Sequence, residues 1–303
     1  MSPQGIGNVQ ARRGILATGV RESSRHARLI SGERPLGVVT TGTLQSMVYL
    51  RGLVPFRRPV IVGTELVSLS SLLTCRKAGI EPVAMIEAAF RPTARSPLML
   101  FPRLLGIPVH YGTALVEILG QPRVEAVVVR GGDRSLATLQ CDGVLLTGHF
   151  VPEAALVGAS HLDLDPGSGG PVVDQYGRCS DPSWFAAGNV LRPAETAGWS
   201  FREGHRIGLR VAEDLFGRLP AATCTASVAR SSGLKVVVAQ RLALPFAGGA
   251  LDSFQVRERA GGGHSSSCCG RPTPVDAVGQ TVSRAACADI SSKPVDSHRD
   301  TTG

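Results

Sequence analysis

Residues 59–86 constrain the fold more than any other stretch of this chain. Pro59-Val60-Ile61-Val62 is a short apolar run that turns at Gly63-Thr64. From Glu65 to Ala78, Leu66, Leu69, Leu72 and Leu73 recur on one helical stripe. Gly79 stops that helix, and Glu81 to Ile86 reads as a second strand. Strand, glycine turn, helix, glycine and strand is the layout of a βαβ unit, which predicts an α/β protein built on a parallel sheet.

The flanking sequence extends this reading. Arg13 to Ala17 reads as a buried strand ending in Thr18-Gly19, and Thr43 to Leu50 as a short helix. Between Pro108 and Leu146 the pattern changes to short strands parted by turn residues. Val109–Tyr111, Ala114–Leu119, Val124–Val129 and Leu136–Gln140 read as a small antiparallel meander. Gly143 to Leu146 is a further buried strand ending in Thr147-Gly148, and Ser183 to Ala187 another ending in Gly188-Asn189. Phe201 to Phe216 is a helix with Ile207, Val211 and Leu215 on one stripe and Gly217 beyond its end. Val236–Val238 and Leu242–Leu244 read as strands. From about residue 260 the chain is Gly, Ser, Pro, Cys and Thr without period, and 260–303 is expected to be a disordered tail.

Composition removes several alternatives. With 303 residues, 43% hydrophobic and 18% charged, the chain can bury a substantial core. The net charge of +8 is carried almost wholly by Arg, since only Lys77, Lys235 and Lys293 are lysines. The densest basic stretch, nine Arg against Glu22 and Glu33 in the first 58 residues, reads as a solvated or anion-facing surface and not as a nucleic-acid site. The seven cysteines are odd in number and contain no C-x-x-C pair. Without an apolar leader or a bilayer-length apolar run, this predicts a cytoplasmic chain with no disulfide framework and no membrane span. His161 and His205 have no partner at ligand spacing, so no metal site is expected. His149 reads as a loop histidine.

Two strand ends are alike: Ile15-Leu16-Ala17-Thr18-Gly19 and Val144-Leu145-Leu146-Thr147-Gly148. With Trp184-Phe185-Ala186-Ala187-Gly188-Asn189-Val190 they resemble the flavoproteins with two dinucleotide-binding domains, the pyridine nucleotide-disulfide oxidoreductase-like superfamily. A narrower likeness rests on five further stretches. These are Arg21-Glu22-Ser23-Ser24-Arg25, Gly32-Glu33-Arg34-Pro35, Thr40-Thr41-Gly42-Thr43-Leu44-Gln45, Gly169-Gly170-Pro171-Val172-Val173-Asp174 and Arg192-Pro193-Ala194-Glu195-Thr196-Ala197-Gly198-Trp199. In their order and spacing they resemble the FAD/NAD(P)-binding α-type subunits of bacterial amine, opine and hydroxyproline dehydrogenases and of hydrogen cyanide synthase. The likeness covers roughly residues 11–220 and fades toward 259.

The resemblance implies a Rossmann-like fold with FAD as cofactor. It implies a partner flavoprotein subunit in a hetero-oligomer, with a small-molecule amine or amino acid as substrate. A non-catalytic subunit that stabilises such a partner is the alternative. On the flavin side it points to Thr18, Gly19, Gly148, Gly188 and Asn189, with Asn189 standing where the family carries an acid, and it adds Thr147 as a further cofactor-binding residue. It also implies that the first FAD-binding βαβ unit, with its own G-x-G-x-x-G, is missing ahead of Ala17-Thr18-Gly19. The expected division is 1–52 partial FAD segment, 53–142 NAD(P)-type insert with meander, 143–219 return to the FAD domain and 220–259 partial extension.

At the inner site the dinucleotide motif G-x-G-x-x-G/A reads Gly63-Thr64-Glu65-Leu66-Val67-Ser68. Glu65 replaces the second glycine and would set like charge against a pyrophosphate, while Glu87 is placed to accept from a ribose 2′-OH. NAD(P) binding and a domain that keeps its fold without its ligand are both open on these residues.

Overall fold

The computed structural model describes residue 5 and residues 7–192, 195–221, 224–228, 234–244 and 255–258. In chain order the strands are β1 (Gly14–Leu16), β2 (Val20–Glu22), β3 (Ser31–Gly32), β4 (Val38–Thr40), β5 (Pro59–Val62), β6 (Ala84–Glu87), β7 (Val109–Tyr111), β8 (Ala114–Leu119) and β9 (Ala126–Arg130). They continue with β10 (Leu136–Gln140), β11 (Gly143–Leu146), β12 (Phe150–Pro152), β13 (Trp184–Ala186), β14 (Cys224–Ser227), β15 (Leu234–Val238), β16 (Arg241–Leu244) and β17 (Gln255–Glu258). The helices are α1 (Thr41–Arg51), α2 (Leu66–Lys77), α3 (Leu100–Leu104), α4 (Ala155–Gly158) and α5 (Ala197–Leu215). The chain divides into two units, Leu16–Ser160 with Ala187–Glu203, and Met1–Ile15 with His161–Ala186 and Gly204–Gly303.

The first unit is built on a five-stranded sheet in the order β4-β11-β5-β6-β7, with every pairing parallel. Successive strand residues point to opposite faces, so this sheet is covered twice. Ile61, Met85 and Leu145 face one side and pack with Leu44 of α1 and Leu72 and Cys75 of α2. Their neighbours Val60, Ile86, Val144 and Leu146 face the other side and pack with Ile118, Val127 and Val129 of the antiparallel β8-β9-β10 layer. Gly79 takes φ +63 just past α2, the left-handed stop that glycine accepts most readily.

In the second unit, the Asp174 carboxylate accepts from the amides of Tyr176 and Arg178 and from Arg178 Nε at 2.8–3.0 Å, with both side chains buried. Gln175 exchanges two bonds of 2.8 Å with the backbone of Ala243. Antiparallel pairs β14-β16 and β15-β17 complete the described part of this unit.

Several elements differ from the sequence-based expectation. The boundaries expected at 52/53 and 142/143 cut the parallel sheet, because β4 precedes the first and β11 follows the second. β11 lies between β4 and β5, its four residues all buried, so its apolar run belongs to this sheet. β7 is not part of the meander: it is the edge strand beside β6, with Met85 opposite Val109. The meander gains β3, which runs parallel to β8. α5 begins at Ala197 and not at Phe201, because Thr196 takes the cap role: its carbonyl accepts from the Ser200 amide at 3.0 Å. The expected tail, 260–303, lies outside the described residues, and so do Cys268, Cys269 and Cys287.

Candidate functional site

The predicted site residues form two groups, both within the first unit. At the first, the Ala187 amide donates to the Leu16 carbonyl at 3.0 Å, which sets the strand end before Thr18-Gly19 beside that of Gly188-Asn189. Gly19 has φ +75 and Gly188 φ +80, in the left-handed region. Among the described residues, a Cβ at Gly19 would meet nothing within 4 Å, and one at Gly188 would meet only Ser200 Cβ at 3.9 Å. On the side where a Cβ would stand, both glycines therefore leave room among the described residues. Thr18 Oγ1 donates to the Glu153 carbonyl at 2.6 Å, and the Gly19 carbonyl accepts from the Glu153 amide at 2.9 Å. Asn189 Oδ1 accepts from Ser200 Oγ and its Nδ2 donates to the Glu195 carbonyl, both at 3.3 Å. An amide oxygen has two lone pairs, so one bond leaves room for a second donor.

Behind Gly188 lies a brace that sequence reasoning did not identify. The buried carboxylate of Glu203, on α5, accepts the Gly188 amide at 2.7 Å and pairs with the buried guanidinium of Arg192. The only sequence signal is an acid on an amphipathic helix eleven positions after an arginine, too weak to read without the fold.

The second group collects Gly63, Glu65, Thr147 and Gly148, so Gly148, expected on the flavin side, lies at the inner motif together with Thr147. Gly63 follows β5 with φ +121 and Gly148 follows β11 with φ +63. β5 and β11 are neighbours, with Val62 opposite Leu146. Thr147 Oγ1 lies 2.9 Å from the Val62 carbonyl and 2.8 Å from Glu65 Oε2, two acceptors between which its single hydroxyl proton is shared. Glu65 is the N-cap residue of α2, yet its carboxylate makes no cap bond. It lies over the two glycines instead: a Cβ on Gly148 would fall on it, and one on Gly63 would fall on it and on the Thr147 hydroxyl.

Arg28, also unforeseen, donates to the carbonyls of Thr147 and Gly148 at 2.9 and 3.0 Å and to that of Ser23 at 2.9 Å. Burial lowers the Arg28 pKa, and Glu65 and Glu22 oppose that shift. The His149 imidazole is held below its ordinary pKa by burial and then by Arg28, against Glu65 and Glu87. Other arginines of the basic N-terminal stretch also tie down the chain: Arg25 donates to the carbonyls of Ile30 and Ser31, and Arg13 pairs with Asp214 in the second unit. For these side chains, holding loops replaces the expected anion-facing role.

Glu87 ends β6, buried. Its carboxylate accepts from Thr64 Oγ1 at 2.5 Å, Thr93 Oγ1 at 3.3 Å and the Ala89 amide at 3.1 Å. These bonds fix the loop after the strand and occupy much of the acceptor capacity that a ribose would use. Among the described residues, no three His, Cys, Asp or Glu side chains are placed to hold a metal ion, and no helix is long and apolar enough to cross a membrane.

Residues 4–205 match the family model for pyridine nucleotide-disulphide oxidoreductases. The chain belongs to this family. It is a family of FAD- and NAD(P)-binding oxidoreductases, and solved structures share its fold. Thioredoxin reductase from T. acidophilum matches with a TM-score of 0.56 at 20% identity, over 67% of this chain and 65% of that one. A FAD-dependent pyridine nucleotide-disulphide oxidoreductase from Desulfovibrio vulgaris matches with a TM-score of 0.53 at 23% identity, over 74% of this chain and 59% of that one. A NAD-dependent persulfide reductase from A. fulgidus matches with a TM-score of 0.52 at 21% identity, over 74% and 43%. The chain thus spans less than two-thirds of the length of these three structures. No curated protein matches it.

Proposed function

We propose that this pyridine nucleotide-disulphide oxidoreductase family chain is a FAD-binding subunit of an amine or amino-acid dehydrogenase or oxidase complex. In this reading a second flavoprotein subunit acts on the small-molecule substrate, in the cytoplasm. The observation that carries it is the pairing of two positive-φ glycines, Gly19 and Gly188, at adjacent strand ends with open space where a Cβ would stand. That is the fit a flat aromatic cofactor requires, and a side chain at either position would push it away. FAD, when bound, supplies the two-electron chemistry at the substrate C–N bond. Gly19 and Gly188 admit it, the Asn189 amide oxygen offers an uncharged acceptor to a ribityl hydroxyl, and Glu203 with Arg192 keeps the Gly188 turn from moving. Disulfide exchange is a poorer reading, although thioredoxin reductase shares the fold. The sequence has no C-x-x-C, and burial pushes the thiols of Cys75 and Cys179 up to about 12.

A second reading, a non-catalytic subunit that stabilises the partner, is favoured by one observation: Glu65 fills the inner dinucleotide seat. Affinity purification of the tagged chain from its source cells, with absorbance spectroscopy and identification of released flavin, separates the two. FAD that co-purifies in proportion to the chain, and falls at least about tenfold in Gly188→Val, supports the first. A flavin-free complex with a second subunit supports the second. A folded chain with neither flavin nor partner overturns both.

A further inference from the structure

At the inner seat, the question is what occupies the space that the glycines leave. In a dinucleotide-binding turn, glycine is required so that backbone can approach a pyrophosphate. Here Gly63 and Gly148, from neighbouring strands, leave such a space: the Glu65 carboxylate fills it at Gly148, and the Thr147 hydroxyl and the same carboxylate fill it at Gly63. The fit of that carboxylate is specific. Glu65 Oε2 accepts from Thr147 Oγ1 at 2.8 Å, and Thr147 is held in turn by its own amide, which donates to the Val62 carbonyl at 3.0 Å. Arg28, anchored on the carbonyls of Thr147 and Gly148, supplies attractive charge toward Glu65. Phosphate and carboxylate oxygens make the same demands on hydroxyl donors and positive charge. Glu87 completes the picture: its oxygens are bonded to Thr64, Thr93 and the Ala89 amide.

We propose that Glu65 is the resident anion of this seat, a substitute carried in cis for the pyrophosphate of a nicotinamide dinucleotide. The seat is closed to NAD(P) in the native chain and is opened to pyrophosphate-bearing ligands by removal of that one side chain. The residues at the inner motif therefore do not fit NAD(P) as they stand. This inference rests on the inner site alone and is independent of the flavin assignment.

The test uses the full chain, with inorganic pyrophosphate and NADH as probes. Thermal melting with and without pyrophosphate and titration of NADH fluorescence are compared for wild type, Glu65→Gly and Glu65→Gln. Wild type shows neither a pyrophosphate-dependent rise in Tm nor saturable NADH binding at millimolar concentrations. Glu65→Gly, which restores the second glycine of the motif and removes both charge and bulk, binds both probes at least about tenfold more tightly, a difference of about 1.4 kcal/mol. Glu65→Gln keeps the volume, so it remains closed or gains less than Glu65→Gly. Should the glycine variant fail to fold, Glu65→Ser, which retains a good N-cap residue, carries the same expectation. Micromolar NADH binding by wild type overturns the proposal. So does a folded Glu65→Gly or Glu65→Ser that binds neither probe better than wild type. Both readouts work without flavin, so a flavin-free preparation leaves this test intact.

Discussion

The two glycine pairs of the first unit are alike in backbone and opposite in surroundings. Gly19 and Gly188, like Gly63 and Gly148, follow strand ends and take positive φ. Each pair also has a glutamate within reach. Glu203 accepts the Gly188 amide and so tightens the turn, leaving the space of a Cβ there free. Glu65 occupies the Cβ space of Gly148 and, together with the Thr147 hydroxyl, that of Gly63, and so takes the room that a ligand would need. A carboxylate that bonds a turn through its amide prepares a surface, whereas one laid across the turn consumes it. The same residue type thus gives one site its rigidity and closes the other.

That contrast sets an order of expected effects. Glu203→Ala breaks its buried ion pair with Arg192 and takes the carboxylate from the Gly188 amide, and costs about 3–5 kcal/mol in urea denaturation. Glu65 is only partly buried, and Glu65→Ala costs well under half as much. Equal losses at the two positions would erase the distinction between brace and occupant.

Gly148→Ala meets both left-handed strain, about 1–2 kcal/mol, and the Glu65 carboxylate, a clash worth about 1–3 kcal/mol more. Gly19→Ala meets the strain alone. In a Glu65→Gly background the excess at Gly148 disappears, and a double-mutant cycle reads the coupling directly. Thr147→Val removes the hydroxyl that holds Glu65 and costs about 1 kcal/mol. It leaves Gly19 and Gly188 unaffected, as amide hydrogen exchange at those residues reports.

The smallest effect is a pH dependence. His149 is held below its ordinary pKa in the folded chain. The unfolded chain therefore takes up the proton first as pH falls, and this contribution to stability is complete above about pH 6.5 and declines below it. Because Glu65 opposes the lowering, Glu65→Gln shifts the His149 titration midpoint, followed by NMR, further down. An unchanged midpoint would place the carboxylate away from His149.

Much of the fold was legible in the sequence because its signals are local. The leucine spacing in 66–73 gave α2 within one residue at each end, and the apolar runs at 59–62 and 143–146 gave β5 and β11 outright. Thr18, Gly19, Gly188 and Asn189 were legible as one group, since strand-end glycines carry a backbone requirement that a sequence displays. Glu65 was recognised as out of place in the motif, but where its carboxylate points was not readable. Arg28 and Glu203 were missed because their partners are bound through folding: Arg28 reaches carbonyls more than a hundred residues away, and Glu203 bonds an amide on a preceding loop.

The sequence by itself determined the alternation of strand, turn and helix, the family, and the positions where only glycine suits the backbone. These follow from periodicity and from the steric demands of single residues. Only the tertiary structure decided that β4 and β11 join one sheet across the expected boundaries and that Thr147 and Gly148 belong with Gly63. It alone decided that the inner seat is held by the chain's own carboxylate. Strand order and side-chain direction depend on contacts between distant segments, which the local pattern of residues does not encode.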